Sequence, residues 1–190
     1  MYFTFKINNE TLFRAKLHSI QCEANTKAGI RCKRKCVIGS PFCNVHLKYD
    51  HDLQIKKSLI PNAGKGLFAI DPHDKNGHEV IFKKGDTIAN YNGEIIDRNE
   101  LINRYGDGEE TAPYAIQISQ NRFEDASIIR GIGSLANTKA NHNNSTISLS
   151  RGFARLKATK NIRNGDEIYL SYGRAYRLND PGVSYSTTAR

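Results

Sequence analysis

The stretch ARLKATKNIRNGDEIYLSYG, residues 154–173, decides the fold. It opens as a strand and turns at Asn164-Gly165-Asp166, then enters a second strand that runs apolar through Ile168, Tyr169 and Leu170 to Ser171-Tyr172-Gly173. Just upstream, TISLSR (146–151) forms another strand, with Gly152 at the turn. The same pattern of short strands cut by Gly or Asn turns continues outward through LQIKKSLI (53–60), GLFAI (66–70), EVIF (79–82), KKGDTIANY (83–91), NGEII (92–96) and YAIQIS (114–119). Only DRNELINRY (97–105) carries a helical face, formed by Leu101, Ile102 and Tyr105 behind a capping-box-like start at Asp97 and Glu100. The chain therefore reads as a β-dominated α+β fold. A Rossmann fold is excluded: the Gly64-Lys65-Gly66 turn lacks the G-x-G-x-x-G spacing and the helix that would seat a pyrophosphate.

The 190 residues are enough to build a core without disulfides. No apolar run approaches the ~20 residues of a membrane span, and no cleavable leader pattern is present, so an intracellular protein with no membrane partner is expected. The formal charge of +9 points to an acidic partner. Residues 1–50 hold 9 Lys and Arg against 3 Asp and Glu, while the remaining 140 hold 19 against 16, so the excess lies in the first quarter. It is densest at Lys27, Arg31, Lys33, Arg34 and Lys35, which is either a solvated face or a nucleic-acid footprint.

Those cations are interleaved with Cys22, Cys32, Cys36, Cys43 and His46, five candidate ligands within 25 residues. Thiolates and imidazole suit Zn²⁺, and a closing C-x2-H pair lets two side chains reach one ion from a tight turn. Five candidates compete for four tetrahedral places, and a disulfide pair is the other reading. The strings CEANTKAGIRCKRK and GSPFCNVH resemble a short zinc knuckle of large DNA viruses and phages. That resemblance assigns the ion to Cys22, Cys32, Cys43 and His46 and leaves Cys36 over. A structural ion that only holds so small a segment folded is the plainer role.

Four blocks occur in order: IPNAGKGLFA (60–69), FKKGDTIANYNGEII (82–96), RGIGSLAN (130–137) and the closing strand. This succession resembles the SET-domain protein lysine methyltransferases over about residues 53–178. The resemblance implies several short twisted sheets with knot-like C-terminal threading, and S-adenosylmethionine as cofactor. It assigns cofactor binding to Lys65, Gly66, Tyr91, Asn137, Thr138 and Tyr172, and catalysis to Tyr172. The organisation expected is an N-terminal strand or arm (1–20), a zinc knuckle (21–47), the SET domain (53–178) and a C-terminal tail (179–190). Methyl transfer from a sulfonium is an in-line displacement, so the protein's tasks are alignment, dehydration and charge complementarity.

Three departures matter. Thr138 stands where the family has His. Ala140 stands where many relatives have a zinc-binding Cys, and no Cys follows Cys43, so any lid comes from the tail with Tyr176 and Tyr185. Leu170 replaces an aromatic residue that influences methylation state. Asp125 and Arg130, and Asp166 and Glu167, are expected to be ion-paired structural groups with no catalytic role. The substrate implied is a basic protein tail, with histone H3 leading; a non-histone protein, or a degenerate adaptor that binds chromatin or nucleic acid without turnover, are the alternatives. A nuclear or viral-factory location, a small viral member that pairs as a homodimer, and a nucleosomal DNA contact through the basic segment complete the expectations.

Overall fold

The computed structural model describes residues 1–36, 40–74, 77–107 and 112–172 in full, and the backbone of 183–188. Strand β1 (Tyr2–Ile7) turns Phe3 and Phe5 inward, and both are fully buried. Asn8 and Asn9 have φ of 48° and 69°, the left-handed pair that a tight hairpin needs, and the chain returns as β2 (Glu10–Lys16). The first twenty residues are thus no free arm. Phe3 and Phe5 share a core with Ile96, Leu101, Tyr105 and Phe123.

After the cysteine-bearing segment comes α1 (Asn44–His51), a helix not anticipated because its second half, Lys48–Asp52, reads as a polar linker. Leu47 is its one fully buried residue and joins the main core, and Asp52 ends it in the left-handed region at φ 53°. The chain then pairs β3 (Leu53–Lys57) with β4 (Lys65–Ala69), antiparallel from Leu53↔Ala69 to Lys57↔Lys65.

Strands β5 (Val80–Phe82), β6 (Thr87–Asn90) and β7 (Glu94–Asp97) follow, separated by turns. Helix α2 (Arg98–Tyr105) starts where expected, with the Asp97 carboxylate accepting from Glu100 N–H at 2.8 Å. Its buried face differs from the expected one: Arg104 is buried beside Leu101 and Tyr105, while Ile102 is only partly covered. Arg104 earns that place by donating to Glu94, Glu100 and Asp125 at 3.0, 2.7 and 2.9 Å. A buried charge with that many partners is tolerated; one without them is not.

Next come β8 (Ala115–Ser119), β9 (Arg122–Asp125) and a 3₁₀ turn at Ile132–Leu135. Then β10 (Ser145–Ser150) and β11 (Phe153–Ala158) form the expected hairpin, in register from Ser145↔Ala158 to Ser150↔Phe153. Short β12 (Ile162–Arg163) and β13 (Leu170–Ser171) follow, and β14 (Val183–Thr188) lies beyond them.

Among the described residues these strands make five small sheets, ordered β14-β1-β2, β13-β10-β11-β6, β12-β5, β3-β4 and β7-β9-β8. Leu156 and Ala158 turn inward from β11 into the main core with Leu67, Ile88 and Ile168, while Ala154, on the same face, joins Tyr91, Ile118 and Ala126. β14 pairs antiparallel with β1, Tyr2↔Thr188 to Ile7↔Val183, so the two ends of the described chain lie in one sheet. Tyr185 belongs to that strand, while Tyr176 lies outside the described residues.

The segment that positions the site is 166–171. It is stitched to β4 by Ile168 N–H to Leu67 O (2.8 Å) and Ala69 N–H to Asp166 O (3.0 Å). Leu170 N–H then donates to Asn137 O at 2.7 Å, and Tyr169 O accepts from Asn144 and Ser145 at 3.0 Å each. Three sequence-distant segments meet there.

Because Phe5 is fully buried and meets the Tyr105 ring edge to face at 5.0 Å, Phe5→Ala should cost about 3–5 kcal/mol. Urea unfolding should show the loss in a single transition of the whole chain. An unchanged main midpoint with a separate early transition would mean that the hairpin folds on its own.

Candidate functional site

The sequence-assigned residues fall into two groups on either side of Asn137. On one side lies the Gly64-Lys65-Gly66 turn. Gly64 adopts φ +74° with open space around it, but Gly66 is glycine for another reason: a Cβ there would overlap the carboxylate of Glu167. The small residue makes room for a protein group, where the sequence suggested an approaching cofactor. Asn137 Nδ2 donates to Lys65 O at 3.1 Å and to Glu167 Oε1 at 3.2 Å, which ties the turn to the Asn137 strip. Thr138 Oγ1 lies 3.5 Å from Asn143 Oδ1, and that same oxygen accepts from Lys139 N–H at 3.0 Å. Asn144 bonds the backbone of Glu167 and Tyr169 with both ends of its amide.

Glu167, expected to be an ion-paired structural group, is instead the hub of neutral donors. Its carboxylate accepts from Ser58 Oγ (2.7 Å), Leu59 N–H (2.7 Å), Asn137 Nδ2 and Tyr169 Oη (3.0 Å). Burial acts to raise its pKa, but donation from Ser58, Leu59, Asn137 and Tyr169 outweighs that and holds the carboxyl below its ordinary value. Burial and this carboxylate push the Tyr169 hydroxyl up to about 12, so it remains a donor. Asp166 accepts from Arg163 N–H within its own turn. Asp125, expected with Arg130, pairs with Arg104.

On the other side of Asn137, a cavity of about 380 Å³ is lined by Tyr91, Pro113, Tyr114, Ile147, Leu170 and Tyr172 among others. Tyr91, grouped by sequence with Lys65 and Gly66, therefore shares its cavity with Tyr172, while Lys65, Gly66 and Thr138 do not line it. Tyr172 Oη donates to Ala136 O at 3.0 Å, which sets the hydroxyl one residue from Asn137, at the join between the two groups. With its proton given to a carbonyl, that oxygen presents acceptor lone pairs. Tyr91 Oη donates to Tyr114 O at 2.9 Å.

The cavity wall is braced from behind. Arg130 lies over the Tyr114 ring at 4.6 Å and the Phe3 ring at 5.9 Å, so the N-terminal hairpin reaches the site through Phe3. The turn after Tyr91 is fixed by Glu124, fully buried, which accepts from Gly93 N–H at 3.0 Å and Ala154 N–H at 2.7 Å. Sequence reading missed Glu124; its place beside Asp125 in an otherwise apolar part of NRFEDASIIRG was its only signal.

In the knuckle, ligand atoms of Cys22, Cys32, Cys43 and His46 all lie within 4.8 Å of one another. Sγ of Cys22 and of Cys43 each stand 3.4 Å from His46 Nδ1. A tetrahedral ion with 2.3 Å sulfur and about 2.0 Å nitrogen bonds spans an edge of about 3.5 Å, so this donor set fits Zn²⁺. Cys43 is the N-cap of α1. Burial would raise its thiol, but backbone N–H groups of His46 and Val45 and the His46 ring bring it down to about 6. Cys36 goes the other way: burial and the neighbouring Cys22 push it up to about 12, and it donates to Pro41 O at 3.1 Å. It is a thiol by environment, consistent with its exclusion from the ligand set.

No family model matches the chain, and no curated protein matches it in sequence. Solved structures share its fold. A Chaetomium thermophilum Polycomb Repressive Complex 2 chain in an autoinhibited conformation bound to S-adenosylmethionine aligns at TM-score 0.52 and 22% identity, over 66% of this chain and 16% of that one. The crystal structure of the complex from the same fungus gives 0.50 and 22% over 71% and 16%. A humanized mutant of it bound to an inhibitor gives 0.50 and 21% over 66% and 15%. The fold is the SET-like, β-dominated one that the order of motifs implied, and this chain spans about a sixth of the length of the chains it matches.

Two outcomes follow. The chain should carry one zinc, released by a chelator and retained in Cys36→Ser but lost in Cys32→Ser, as read by a colorimetric metal assay. A folded-state pKa below the unfolded one makes Glu167 stabilising above the carboxylate range of about 4.3, a contribution lost as pH falls through the folded value. Glu167→Gln should therefore destabilise at neutral pH, and the gap from wild type in chemical denaturation should close as the medium is acidified below that range. A constant gap would assign the loss to packing alone.

Proposed function

We propose that the chain is an S-adenosylmethionine-dependent protein-lysine N-methyltransferase acting on a basic protein tail, histone H3 first among them, in the nucleus. The observation that carries this is the placement of the Tyr172 hydroxyl between the Asn137 strip and the tyrosine-lined cavity. The fold shared with a chain bound to S-adenosylmethionine supports the cofactor, and the Polycomb setting of that neighbour supports chromatin.

Asn137 follows Ala136, whose carbonyl accepts from the Tyr172 hydroxyl, and its amide binds Lys65 O, so a cofactor held by the Lys65–Asn137–Thr138 strip would lie next to Tyr172. Bound there, the cofactor supplies an electrophilic methyl on a cationic sulfonium. The chain's own residues do the rest. The cavity wall of Tyr91, Tyr114, Ile147 and Leu170 is apolar enough to hold an extended alkyl side chain and exclude water. Low polarity also disfavours an ammonium, which biases an entering lysine toward the neutral amine that the displacement needs. Tyr172, its proton engaged by Ala136, orients that amine and meets the positive charge at the methyl. Phe3, Arg130 and Glu124 keep the wall in place.

Thr138 in place of a family His motivates the adaptor reading, in which the fold binds chromatin without turnover. One comparison separates the two. With labelled S-adenosylmethionine and core histones, wild type should transfer label and Tyr172→Phe should lose it by at least about 100-fold while still binding the cofactor in calorimetry. Absence of cofactor binding by the wild type would leave the adaptor; transfer to another basic protein but not to histones would correct the substrate.

A further inference from the structure

The cysteine segment is a small β-hairpin whose two sides have different chemistry. Cys22 N–H donates to Arg34 O and Cys32 N–H to Ala24 O, at 2.9 and 2.8 Å, with bridges at Gln21↔Lys35 and Asn25↔Arg31. The inner side buries the four cysteines. The hairpin's solvent-exposed surface, the outer face, carries Lys27, Arg31, Lys33, Arg34 and Lys35, against a single acid, Glu23. None of these five is in an ion pair among the described residues, where the ion pairs belong to Arg104. Arg31 is pinned flat: its Nε donates to Cys22 O at 3.2 Å and its Nη2 to Gln21 O at 3.3 Å. At the hairpin tip, between Lys27 and Arg31, Ile30 is 64% exposed.

We propose that this outer face is a nucleic-acid-binding surface that takes the phosphodiester backbone, with Ile30 as an apolar contact to sugar or base. A structural zinc alone would not require five cations outside any ion pair on one hairpin. A basic substrate tail would be repelled, so the partner must carry the opposite charge. Cross-strand bonds fix the backbone that carries these cations, and Arg31 is held by its own two bonds, which reduces the ordering cost of binding. Five phosphate contacts correspond to a salt slope of log affinity of about −4.5 on duplex DNA.

The test uses the full zinc-loaded chain and fluorescence anisotropy on two probes, a duplex DNA and a single-stranded RNA, each of about 20 nucleotides per strand, across a salt series. Binding to at least one probe is expected, and the tighter arm identifies the source of the phosphates. Lys33→Glu/Arg34→Glu/Lys35→Glu should weaken it at least about tenfold and flatten the DNA slope by about 2.7, at unchanged zinc content. A charge-neutral variant, Lys27→Gln/Lys33→Gln/Lys35→Gln, should do the same with a smaller loss, which guards against misfolding of the first. Equal affinities and slopes in zinc-replete wild type and variants, or no binding to either probe, would overturn the proposal. No cofactor is present, so the outcome is independent of the methyl-transfer reading.

Discussion

Four donors converge on the carboxylate of Glu167, and most of what surrounds the candidate site is fixed by that convergence. Ser58 and Leu59 come from the loop after β3, Asn137 from the strip after the 3₁₀ turn, and Tyr169 from the closing strand. Each would leave a polar group unsatisfied if the carboxylate were gone, and inside a protein an orphaned partner costs more than the bond contributes. The same group dictates that residue 66 has no side chain. Geometry at Lys65, Asn137 and, through Ala136, Tyr172 therefore depends on one buried anion whose four donors all lie outside the cavity lining.

Much of the fold was legible. Strand and turn signals between 146 and 170 are local, and the β10–β11 hairpin follows from them. The cap of α2 was legible for the same reason. What failed was long-range. Nothing in MYFTFKI names β14 as its partner some 180 residues on, or shows that Phe3 braces Tyr114 behind the cavity. Helix α1 was hidden because most of its turns face solvent and only Leu47 enters the core.

The site was legible as a set of residues but less so as a geometry. Order of motifs singled out Lys65, Tyr91, Asn137 and Tyr172, and the structure divides them between two sides of one strip. Buried acids were the hardest to read, since a carboxylate's role depends on donors over a hundred positions away, as with Ser58 and Glu167. The ligand quartet was easier: cysteine and histidine have few other reasons to cluster within 25 residues.

The pairing of β14 with β1 puts segments from opposite ends of the sequence into one ladder, Tyr2↔Thr188 to Ile7↔Val183. The two edges of β1 therefore differ in how they are reached during folding. Its hairpin with β2 is local and closes across Asn8 and Asn9, whereas its other edge waits on a partner that the chain brings up from far along the sequence. Loop closure of that span must be met before any ladder bond contributes, so the β14 edge of the sheet is the late one to form.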